Sequence, residues 1–289
     1  MRDNRIPTSI IWAALGMVVF SFFLPAIMEN HHFSGDAWSV IAYSNGFNTI
    51  EAILQFGWNL FRPGEGVYWI LQHKILGFDR HLIHVCSLLL NALGCFAFGV
   101  SLYKAFPRFP ILATGAMVTA FFLPLLTVTT FLMQADNSRF APLLFWVAMI
   151  MFLLWAERPS RTWWLVAATL VHYLAAVTYE TAVFHIAIIL LFALPVLARR
   201  QIGQDENLEW REAVIRPVIH LSIALGIGAM AFLATRYMLF RGGVLFVTDE
   251  FISFSSAWDY IESGFQHLFL PLDHPARGGV DIITGVAIA

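Results

Sequence analysis

Seven apolar runs of roughly twenty residues each divide the chain, at about 8–27, 81–103, 110–132, 140–156, 162–178, 181–198 and 217–240. A helix rises 1.5 Å per residue, so about 20 residues cover a hydrocarbon core of ~30 Å. With 59% hydrophobic residues, 12% charged residues and a mean hydropathy of +0.71, the chain has more apolar surface than one soluble core hides. The pattern predicts an all-α polytopic membrane protein with about seven transmembrane helices, forming a single membrane module over residues 1–289.

Charge placement says more than charge sum. The balance of 17 basic and 19 acidic residues lacks the clustered cationic surface that nucleic acid requires. Cytoplasmic loops close to spans carry the excess of Lys and Arg. One side of the predicted topology holds ten, namely Arg2, Arg5, Lys104, Arg108, Arg158, Arg161, Arg199, Arg200, Arg211 and Arg216. The other holds seven, spread over longer segments, together with thirteen of the nineteen acids. The first side is therefore expected to be cytoplasmic, with the N-terminus on it. The first run, flanked by Arg2 and Arg5, reads as a retained signal anchor, being too long for a cleaved leader. Cys86 and Cys95 stand nine residues apart in one run, ~13 Å on a helix, too far for a disulfide.

Two long segments fall on the acid-rich outer side, 28–80 and 241–289. In the first, Trp38, Ile41 and Tyr43, then Ile50, Ile53, Leu54 and Trp58, recur at near-helical spacing, which predicts amphipathic helices lying in the interface. Ser44-Asn45-Gly46 separates them, Arg62-Pro63-Gly64 ends the second, and 67–76 leads back to the membrane. The last residues, Ile282 to Ala289, are apolar without a positive flank and read as the start of a truncated further segment.

The ionisable candidates lie on that outer side. Asp36 follows His31 and His32 shortly after the first run; it is placed either to accept a proton or to cap a helix starting near Ala37. Asp136 and Arg139 share a short loop whose Asp-Asn-Ser is also ordinary turn chemistry. Arg62 and Arg139 suit bidentate phosphate binding, or snorkelling to headgroups. Glu180 opens the sixth run, where a carboxylate is costly unless it faces water, a partner or the helix dipole. His31, His32, His73, His81 and His84 form no recognised metal pattern, and no phosphate loop, nucleophile elbow or dinucleotide fingerprint occurs.

Phe61-Arg62-Pro63, then Trp69-Ile70-Leu71, His81-Leu82-Ile83-His84-Val85 and Asn91-Ala92-Leu93, together with Tyr179-Glu180-Thr181-Ala182-Val183 and Leu194-Pro195, resemble passages of the integral-membrane glycosyltransferases of the C superfamily, in their O-mannosyltransferase-like branch. Two departures stand out: Tyr179 replaces the usual Lys, and the first loop has one acid where the family has an adjacent pair. The resemblance covers about 8–240 and implies the family's conserved N-terminal membrane module. It further implies transfer of a sugar from a polyprenyl-phosphate donor to an extracytoplasmic glycan, lipid or protein acceptor, in a bacterial plasma membrane. Asp36 takes the place of the catalytic base, Asp136 that of the second acid, with a divalent cation near Asp136 if one is used. Arg62 and Arg139 take the place of the donor-phosphate contacts, and Glu180 is a further candidate. A transporter or flippase of lipid-linked sugars and an inactive membrane assembly protein stay open beside this reading.

Overall fold

The computed structural model describes residues 6–27, 45–46, 48–53, 63–77, 79–122, 137–179, 185–203 and 214–241, with the backbone alone at several helix ends. All regular structure among them is helical. In chain order the helices are α1 (Thr8–Ile27), α2 (Pro63–Leu76), α3 (Arg80–Ala105), α4 (Pro110–Phe122), α5 (Asn137–Glu157), α6 (Thr162–Thr178), α7 (Ile186–Gly203) and α8 (Arg216–Arg241). A short helical turn at 49–53 precedes α2. Each apolar run of the sequence holds one helix, with 123–132 of the third run and 181–184 of the sixth outside the described residues; α2 is the addition.

Three of these helices are long and apolar enough to cross a membrane, at His81–Ala105, Phe140–Glu157 and Arg216–Thr235. Four shorter apolar helices accompany them, at Thr8–Phe23, Pro110–Phe122, Thr162–Thr178 and Ile186–Arg199. Their surfaces suit lipid. Trp12, Phe23, Ile111, Ile227 and Met230 are all more than 60% exposed, a cost in water but none against acyl chains. The hydroxyls of Ser21, Ser101, Thr114, Thr169, Thr178 and Thr235 each donate to the carbonyl four residues back, so they need no water. The chain therefore associates with a bilayer through apolar helices.

Two interior clusters meet at α3. On one side α1, α3 and α4 enclose Ile10, Met17, Ala92, Met117 and Phe121. Gly99 lets α4 approach closely, since a Cβ there would lie 2.8 Å from the Met117 sulfur. On the other side α5, α6, α7 and α8 enclose Phe145, Phe152, Trp155, Ile189 and Leu221. α5 is central, packing chiefly on α6 and α3.

From α3 to α8, helices consecutive in the chain alternate in direction, and their ends sort into two groups. At one end, Lys104 pairs with Glu157 at 2.9 Å, joining the ends of α3 and α5. Arg199, near the end of α7, donates to the carbonyls of Ala105 and, at 2.6 Å, Lys104. Carbonyls in the last turn of a helix have no partner within it, so a guanidinium there supplies both hydrogen bonds and favourable charge. Ser9 meets Thr114 at 3.0 Å, bringing the starts of α1 and α4 together. At the other end, Tyr173 of α6 meets Thr235 of α8 at 2.7 Å, and α2 covers the tips of α3, α5 and α6. Lys104, Arg108, Arg158, Arg161 and Arg199 thus gather on elements at the end away from α2, the same grouping that the charge census gives.

Pro63 begins a helix here. Proline is favoured at the first helical position because its missing N–H would be unpaired there in any case. Whether a preceding helix stops at Arg62 lies outside the described residues. α2 closes at Gly77, whose φ of 64° is left-handed and whose N–H donates to the His73 carbonyl at 2.9 Å. Asp79 then caps α3, its carboxylate accepting from the Leu82 N–H at 3.1 Å. With only 77–79 between the two helices, α2 is tied to the tip of α3.

Candidate functional site

The site is built around α2. Its buried residues are Glu65, Gly66, Trp69, Ile70, Gln72 and His73, which follow helical spacing and so form one face. Trp69 and Ile70 pack with Ala52 and with Ile83 of α3 as a third interior cluster. A carboxyl, an amide and an imidazole share that face.

Two contacts fix where the face lies. Gly64 stands against the last turn of α6 so tightly that a Cβ on it would fall 2.2 Å from Thr178 Oγ1 and 2.9 Å from Thr178 Cα. Tyr68 stacks on Phe140 of α5, with ring centroids 5.0 Å apart and planes 13° apart. α2 therefore lies across the ends of α5 and α6, and its polar face turns into the bundle.

The polar environment continues below. His172 of α6, buried, lies six residues before Thr178, about 9 Å along the axis. Phe145 of α5 lies beside both it and His185 ahead of α7, with centroid distances of 6.2 and 4.6 Å. His84 and Ser87 on α3 are buried as well, whereas His81 is exposed. Among the described residues no three His, Cys, Asp or Glu side chains converge as metal ligands.

Burial pushes the pKa of His73 below the ordinary 6.5, and a backbone hydrogen bond with Gly77 only partly offsets this. Gln72 is 6% exposed, and neither its amide oxygen nor its nitrogen has a hydrogen-bond partner among the described residues. Such a group is costly to bury and calls for a reason.

Of the residues singled out from sequence, Asp36, Arg62, Asp136 and Glu180 lie outside the described residues, and so does their mutual distance. Arg139 belongs to the first turn of α5, its side chain likewise outside the described set. What the structure does bring together is their described neighbours in sequence. Gly64 follows Arg62 by two, Thr178 precedes Glu180 by two, and Phe140 follows Arg139. All three meet at the α2 end.

The sequence reading passed over Glu65 and Gln72 and took His73 as one of an interfacial group. The signal was there: Glu65, Trp69, Gln72 and His73 are spaced by four, seven and eight residues, and Gly77-Phe78-Asp79 carries both a helix stop and a helix start. No protein-family model matches the chain, and no curated protein or solved structure matches it either.

Proposed function

We propose that the chain is a membrane glycosyltransferase that moves a sugar from a polyprenyl-phosphate donor to an extracytoplasmic glycan, lipid or protein acceptor. In this reading all seven apolar helices cross the bilayer, α2 lies at its outer surface, and the cationic end faces the cytoplasm of a bacterial cell. The observation that carries the reading is the docking of α2, directly after Arg62-Pro63, over the tips of α5 and α6, where the described neighbours of Arg62, Arg139 and Glu180 meet. A donor whose phosphate sits at the headgroup level and whose chain runs into lipid needs its reactive carbon held at such an end.

Each residue has a task set by the chemistry. The acceptor hydroxyl attacks the anomeric carbon, the bond from that carbon to the phosphate oxygen breaks, and the hydroxyl proton passes to Asp36. Arg62 and Arg139 offset the charge that develops on the leaving polyprenyl phosphate. Asp136 orients the acceptor or donor opposite Asp36, and Glu180 lies at the margin of the site. A divalent cation, if one is used, falls to Asp136, which lies outside the described residues.

The test is transfer of labelled sugar from a synthetic polyprenyl-phosphate donor by the full chain in detergent. Wild type is expected to transfer, and Asp36→Asn to lose at least about a hundredfold, the usual scale of a general base. Equal rates in both sink the assignment of the base. A donor that is moved intact across vesicles, with no sugar transferred, favours the flippase reading instead.

A further inference from the structure

We infer that Gln72 is the residue that recognises the sugar of the lipid-linked donor, by hydrogen bonds from its side-chain amide to two neighbouring hydroxyls. The inference rests on the transfer reading given above and assigns a specificity role to a residue outside the reacting groups.

Three observations carry it. Gln72 is more than nine-tenths buried on the inward face of α2, yet both amide atoms have no hydrogen-bond partner among the described residues. An amide there offers two N–H donors and one carbonyl acceptor in a plane. Adjacent ring hydroxyls, each both donor and acceptor, match that set, whereas a phosphate offers acceptors only. On the same helix, Trp69 and His73 hold their rings 6.0 Å apart on the buried face. Flat rings beside a few placed polar groups are the usual make-up of a small-molecule site. A leucine at 72 would fill similar space with nothing left unpaired, so stability alone does not account for the amide.

The location agrees. Gln72 lies eight residues after Gly64 and four after Tyr68, the two residues that hold α2 over the ends of α6 and α5. A sugar read by Gln72 is therefore held beneath α2, at the end where the donor phosphate contacts are proposed.

The experiment titrates the full chain in detergent with a short-chain prenyl-phosphate hexose and with its single-deoxy analogues, for wild type and Gln72→Leu. Unfolding temperatures are measured with and without ligand. For wild type, removal of at least one hydroxyl is expected to weaken binding about tenfold, the scale of one neutral hydrogen bond. Gln72→Leu should bind the parent donor about tenfold more weakly, lose discrimination against that same analogue, and unfold no earlier than wild type without ligand. A purely structural glutamine would not produce that loss of discrimination. Unchanged discrimination in Gln72→Leu, or an earlier unfolding without ligand, overturns the inference while leaving the transfer reading intact. Failure of wild type itself to bind the donor overturns both.

Discussion

Gly64→Ala is the substitution that α2 should tolerate least for its size. A Cβ at 64 would stand 2.2 Å from Thr178 Oγ1, 2.9 Å from its Cα and 3.0 Å from its N. Carbon atoms in contact normally sit ~3.5 Å apart, so each separation is an overlap. Rotating the Thr178 hydroxyl away would sacrifice its 2.7 Å hydrogen bond to the Leu174 carbonyl. It would also leave the two backbone overlaps untouched, so α2 has to lift off α6. Overpacking of this kind costs about 1–3 kcal/mol, against a helix-propensity gain of at most about 1 kcal/mol for Ala over Gly. The expected balance is a loss of about 1–2 kcal/mol, read as a lower unfolding temperature in detergent and faster protease cleavage between 63 and 77. Gly16→Ala and Gly115→Ala are the controls, since a Cβ at either position meets nothing within 4 Å. Adding Thr178→Ala to Gly64→Ala removes the hydroxyl overlap but not the backbone ones, so the rescue should be partial. A Gly64→Ala protein that behaves like the two controls refutes the docking of α2 on α6.

Other outcomes follow from the same geometry. Gly77→Ala should destabilise by about 1–2 kcal/mol for a different reason: space is open there, but φ is 64°, and a left-handed backbone penalises a Cβ; Gly77→Asn should lose less, and thermal unfolding of the pair checks this. Because burial lowers the pKa of His73, the form with α2 undocked binds more protons below pH 6.5, so docking weakens as pH falls through that value and levels off once the docked imidazole also protonates. His73→Gln should flatten the difference in unfolding temperature between pH 7.5 and pH about 5, and a wild-type profile already flat there contradicts the assignment. At the opposite end, Arg199→Ala leaves the Lys104 and Ala105 carbonyls without their donor and should cost about 1–3 kcal/mol, whereas Glu157→Gln, in a pair 20% and 31% exposed, should cost under about 1 kcal/mol; a reversed order in unfolding temperature would contradict the clamp.

The helices were legible because lipid imposes a simple rule: a run long and apolar enough must satisfy its own backbone. α1 and α6 fall at 8–27 and 162–178, the bounds that hydropathy alone assigns. The sorting of Lys and Arg was legible too, since Lys104, Arg108, Arg158 and Arg199 lie on one end of the bundle. α2 was not. Pro63-Gly64 reads as a stop when local chemistry is considered alone, but a first-position proline and a glycine pressed on Thr178 make it a start. Nothing local distinguishes these, because the deciding contact is with a residue more than a hundred positions away. The burial of Glu65, Gln72 and His73 follows from that contact and was hidden for the same reason. Asp36, Arg62, Asp136 and Glu180 rest on the sequence and on family resemblance, since they lie outside the described residues.

The claim at the centre of the account is that Asp36, Asp136 and Arg62 gather at the end covered by α2. In a chain with Cys86 and Cys95 replaced by serine, cysteines at 36 and 136 and spin labels at 36 and at the exposed position 75 test it directly. Convergence of catalytic groups on one reacting atom predicts cross-linking of 36 to 136 by a reagent spanning roughly 10 Å, and a label distance of at most about 20 Å between 36 and 75. Absence of the cross-link together with a label distance well beyond that span would contradict the account.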